Sequence, residues 1–200
     1  MQGVSRWAVW SSACAPLVLV GGWVVAAMLQ PPGYDPRTQT ISSLAAYGSA
    51  DRWLMTAAIF VTGVCHIVTA LGLRAAAASG RVVLAVGGVA SILVALFPEP
   101  DSGASLRHTA ATSVGIAALA AWPVLAADRA PRAPWALRPA LSVVVSVLML
   151  AAAVWFLVAL LRHADIGLAE RVLTTGQTLW PLVVVVSCLG RAARDPAGPS

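Results

Sequence analysis

Two hundred residues that are 59% hydrophobic and only 10% charged do not make a soluble domain, in which roughly a quarter of the residues are charged. The formal charge of +5 comes from arginines dispersed through the chain, with no lysine, so it reads as a set of topology determinants and not as the basic stripe of a nucleic-acid binder. The length leaves room for about six apolar segments of ~20 residues, each crossing ~30 Å of hydrocarbon, and for no separate soluble domain.

The first apolar segment, 7–29, follows Arg6 in the manner of a secretory leader. Its run exceeds a leader's apolar core and no small-x-small cleavage site follows, so it is expected to remain as the first span. Residues 30–52 form the longest link. Pro31, Pro32, Gly33 and Pro36 keep its start out of helix, while 40–47 can make a short interfacial turn, with Ile41, Leu44 and Ala45 facing lipid or the bundle. A partly structured link of this length is more often functional than a bare connector.

The second span, 53–73, carries Thr62, His66 and Thr69 on one face. His66 lies about 20 Å down the helix from Trp53 at the outer surface, a depth at which an imidazole must point into the bundle. Its simplest role is a hydrogen bond to a neighbouring helix. A third span, 82–97, leads into FPEPDSGASLRH, 97–108, a polar interruption between two oily segments. If the fourth helix starts near Ser102, Asp101 is its N-cap and His108 lies ~10 Å further on, too far for a direct pair. The fourth span is placed at 108–126.

Residues 127–138 are broken by prolines and carry Trp135 as an interfacial anchor. The fifth and sixth spans are 140–161 and 172–189. Glu170, Thr174, Gln177 and Pro181 make a polar stripe down the outer half of the last helix, with Arg171 beside it; a buried glutamine needs a partner, so this stripe should face other helices or a wet cavity. The tail, 191–200, is expected to be disordered. Cys14, Cys65 and Cys188 all fall within spans, without metal-ligand spacing, and read as core packing.

Every backbone amide in hydrocarbon must be paired within its own segment, so the fold class is all-α: a polytopic bundle of six transmembrane helices, one domain over 1–190. Eight of the thirteen arginines and two of the eight acids lie on the side of the termini, against five arginines and six acids on the other. Both termini, and the 191–200 tail, are thus expected in the cytoplasm of a bacterial cell, with the protein multi-pass in the cell membrane.

The outer face then gathers Asp35, Ser42, Ser43, Asp101, His108, Glu170, Arg171 and Gln177 as candidate ligand-binding residues. One expectation is a site for a polar lipid headgroup or small amphiphile, with membrane lipid as the partner and no nucleic acid. The alternative is an intramembrane hydrolase or transferase acting on a lipid-linked substrate, with His108 as general base, Asp35 or Asp101 orienting it and Ser42 or Ser43 as catalytic nucleophile. A transporter or accessory subunit ranks lower, because no span is broken in mid-membrane. No cofactor is implied, and no metal: His66 and His108 differ too much in depth to share an ion.

These residues resemble a known family of bacterial and archaeal integral membrane proteins, domain of unknown function 998. The resemblance rests on Tyr34-Asp35 and Ile41-Ser42-Ser43-Leu44 after the first helix, Phe97-Pro98 with Asp101 and His108 before the fourth, and Gly167, Glu170-Arg171 and Trp180 around the sixth. Ala45 departs from the pattern, where a glycine is usual. The resemblance implies six helices and a shared outer-face role for these residues, and no particular activity.

Overall fold

Long runs of Ala, Val and Leu, with prolines confined to links and a few helix interiors, produce six helices and no strand among the described residues, which in this computed structural model are 3–100 and 103–194. The helices are α1 (Arg6–Met28), α2 (Arg52–Gly72), α3 (Ala78–Leu96), α4 (Leu106–Leu125), α5 (Pro139–Arg162) and α6 (Ile166–Arg194). Each is long and apolar enough to cross a membrane, so the chain is a multi-pass membrane protein. Short 3₁₀ turns occupy Ser42–Ala45 and Trp135–Leu137.

The helices pack in chain order, each against the next, and α6 returns to α1 to close the ring. Small residues allow the approach. A side chain on Gly63 would strike the Gly88 carbonyl and one on Gly88 the Gly63 carbonyl, so α2 and α3 touch backbone to backbone, as helices in lipid commonly do. α5 is the exception. Its most apolar stretch is only 17% buried, against 50% for α2, and a groove lies between it and α4.

Hydrogen bonds between links define the two ends of the bundle. At the termini face, Ser5 N–H donates to Gly72 O, Ala75 N–H to Gly3 O and Ala77 N–H to Ala126 O. A dry cluster of Leu73, Leu84, Trp122, Leu137, Val184 and Val185 lies against this end. At the opposite end, here the loop face, Tyr47 N–H donates to Glu99 O and Leu168 N–H to Arg37 O. Ile41, Leu44 and Ala45 are buried there against Leu19, Met55 and Ile59, so they face the bundle and not lipid.

Two boundaries differ from the sequence reading in ways that matter for the site. α4 begins at Leu106 with Ser105 as its N-cap, the Ser105 hydroxyl accepting from His108 N–H at 3.3 Å. His108 is therefore in the first turn, not two turns along; the expected cap, Asp101, lies outside the described residues. α6 begins six residues before the expected 172, which places Glu170 and Arg171 inside the helix. The charges signalled an end, but the 30–51 link supplies partners that let them lie within it. Helix also continues through 191–194, the start of the tail expected to be disordered.

Candidate functional site

The loop face is organised by α6. Arg171 is buried, and its Nη1 donates to Pro36 O (2.7 Å), Gln39 O (2.8 Å) and Gly167 O (3.0 Å), while Nη2 donates to the Tyr34 hydroxyl (2.6 Å). The guanidinium also lies 5.1 Å from the Trp23 ring of α1. Burial pushes the Tyr34 phenol above its ordinary range, so it meets Arg171 as a neutral acceptor. Glu170 turns to the same link: its Oε2 accepts Ile41 N–H and its Oε1 accepts the Ser42 hydroxyl at 3.3 Å. Gly167 permits the contact, since an added Cβ would fall 2.1 Å from Gln39 O. Outside this clamp, Arg37 and Asp165 form an exposed ion pair that holds the Asp165 carboxyl below its usual range.

A groove opens beside the clamp, between α4 and α5, with a volume of about 420 Å³. Its upper end, at the loop face, is polar and lined by Thr40, Ser42, Glu99, His108 and Glu170. Thr109, Thr112 and Ser113 of α4 continue down one wall, at the depth of Leu160, Leu157 and Phe156 of α5, and Ile116, Ala117, Ala120 and Leu150 line the deeper end. From Thr109 to Ala120 the groove follows α4 for ~16 Å. His108 Nδ1 lies 2.9 Å from Phe97 O; a carbonyl only accepts, so Nδ1 carries the proton. Its Nε2 faces Glu99 Oε1 at 3.5 Å, beyond a good hydrogen bond.

A smaller chamber of about 100 Å³ lies inside the ring, lined by every helix except α5. Thr62, His66, Ser91, Thr174, Gln177 and Thr178 line it, and it shares Ser42, Thr112, Ile116 and Glu170 with the groove. The expected stripe of Glu170, Thr174 and Gln177 thus does face a cavity, and Gln177 Nε2 donates to Ile116 O at 3.1 Å. His66 departs from expectation. Both its ring nitrogens lack a hydrogen-bond partner, although the side chain is buried. Thr69, on the same face, pairs with Ser11 of α1 at 2.7 Å.

The structure sorts the candidates. Ser42, His108 and Glu170 share the groove head. Arg171 belongs to the clamp and Gln177 to the inner chamber. Ser43 donates to Thr40 O at 2.7 Å, stabilising its own turn. Asp35 is exposed and shapes the link locally, accepting from Arg37 N–H (2.9 Å) and the Thr38 hydroxyl (3.0 Å). The carboxylate facing His108 is therefore Glu99, which sequence reasoning passed over although it lies within the 97–108 interruption. The Ser42 hydroxyl is committed to Glu170 and makes no bond to His108. Among the described residues no group of three or more His, Cys, Asp or Glu side chains is placed to hold a metal ion.

No curated protein and no solved structure matches the chain. Residues 12–187 match the family described as "Protein of unknown function (DUF998)", a stretch that includes the clamp, the groove and the chamber, and the chain belongs to that family.

Proposed function

We propose that the protein binds a membrane amphiphile in the groove between α4 and α5, its polar head among Ser42, Glu99, His108 and Glu170 and its chain against the apolar walls below. The carrying observation is the groove's gradient along its length: its acids and His108 lie at the loop face, the hydroxyls of Thr109, Thr112 and Ser113 follow on α4, and its deep end, at Ala117, Ala120 and Leu150, is apolar. That is the profile of a lipid with its head at the interface. With the arginine bias, the loop face is extracytoplasmic and the termini lie in the cytoplasm, in the cell membrane.

Ser42 lining the same groove as His108 supports a second reading, an acyl or phosphoryl hydrolase of a lipid-linked substrate. It requires the Ser42 hydroxyl to exchange Glu170 for His108, with Glu99 orienting the imidazole.

A dodecyl amphiphile carrying a diazirine in its chain, photolysed with the protein in nanodiscs, tests the first reading. Labelling should concentrate on Ala117, Leu150 and Leu157 and fall several-fold in Ala117→Trp. Labelling spread evenly over all lipid-exposed helices would overturn it.

A further inference from the structure

We propose that the groove selects amphiphiles whose head is a primary ammonium, an inference that rests on the groove being the amphiphile site. Among the described residues, the ionisable side chains lining it are Glu99, His108 and Glu170, and no arginine does. The donors of the nearby arginines are turned elsewhere. Arg171 is directed at four oxygens of the clamp and its own helix, Arg37 is paired with Asp165, and Arg107 lies 5.6 Å from the Phe97 ring. Glu170 has the Arg171 guanidinium beside it, so the acid that sets the preference is Glu99, whose neighbour within ion-pair range among the described residues is His108; a phosphate or sulfate head would be repelled there, whereas an ammonium would meet its complement.

The acceptors also match in kind. Donation of Nδ1–H to Phe97 O leaves a lone pair on His108 Nε2, directed toward Glu99. Glu99, His108 Nε2 and Glu170 Oε1 thus offer three acceptors, and a primary ammonium carries three donors. A quaternary ammonium has none. It is usually held by an aromatic cage, and among the described residues Phe156 is the one phenyl or indole ring lining the groove. Ser42 would keep Glu170 in place while the ammonium takes up the carboxylate's remaining lone pairs.

Competition against the diazirine amphiphile in phosphatidylcholine nanodiscs decides the point, with dodecylamine, dodecyltrimethylammonium, dodecanol and dodecyl sulfate as competitors. Dodecylamine should displace the probe at concentrations ten-fold or more below the other three. Glu99→Gln should bring it level with dodecanol, and Asp51→Asn, which removes an acid from the same face outside the groove, should leave the preference intact. Equal competition by all four, or stronger competition by dodecyl sulfate, with labelling still confined to the groove, would overturn the ammonium inference and leave the amphiphile site standing. Loss of the preference in Asp51→Asn would also overturn it, by assigning the selectivity to bulk charge. Even labelling with no competition would bring down both.

Discussion

Two polar clusters lie side by side at the loop face and differ in how far their hydrogen-bonding capacity is already used. In the clamp, Arg171 reaches four oxygen atoms, while Glu170, bonded to Ile41 and Ser42 of the same link, stands between the clamp and the groove. In the groove head, His108 has one ring nitrogen fixed on a carbonyl, while the other faces a partly exposed carboxylate at a distance too long to satisfy either. Buried polar groups that are saturated from within the chain specify architecture; those with capacity left over, beside open volume, are where an outside molecule can add bonds. Composition alone does not separate the two clusters, since both contain acids and a basic side chain.

The sharpest way to break the comparison is Arg171→Met. It removes four hydrogen bonds and strands the Pro36 and Gln39 carbonyls, and should cost about 3–5 kcal/mol, seen as a fall in the thermal midpoint of the protein in nanodiscs. Arg171→Lys should recover only a minority of that loss, because an ammonium cannot span the same acceptors. Gly167→Ala should follow at roughly 1–3 kcal/mol, with new proteolytic cleavage within 30–51 as the link is pushed off α6.

His108→Gln should behave differently. Stability should change by about 1 kcal/mol or less, because Ser105 still caps α4, while displacement of the groove probe by dodecylamine weakens several-fold. The smallest effect is expected at the exposed Arg37–Asp165 pair. Asp165 is held below its ordinary range in the folded state, so its contribution is present above the unfolded carboxylate's pKa and is lost as the pH falls through the lower folded value. Asp165→Asn should flatten that acid limb, and ~1 M salt should do the same.

Hydropathy and proline placement made the six spans legible, and the spacing of Glu170, Thr174 and Gln177 correctly implied a polar inner surface. What was hidden depends in part on contacts far apart in the chain, 135 residues for Arg171 with Pro36, and in part on how a short loop folds back, as between Glu99 and His108. Nothing in the local sequence says that the partners of Arg171 are main-chain oxygens of Pro36 and Gln39, or that Glu99, and not Asp35, faces His108. The start of α6 was misplaced for the same reason: a charged pair looks like a helix boundary until a distant segment arrives to solvate it. His66 shows the converse, a residue whose position implied a helix-to-helix bond and whose surroundings provide a cavity instead.

The contact at Gly167 also bears on the order of assembly. The 30–51 segment emerges early in synthesis, yet the carbonyls and amides that dock on Gly167, Glu170 and Arg171 find them only when the final helix has been made. Until then the segment has no fixed seat and the ring of helices has no closing member beside α1. A ribosome stalled before residue 166 would therefore leave a membrane intermediate whose 30–51 link is open to proteases and quality-control factors, and completion of α6 becomes the step that commits the whole chain to its native form.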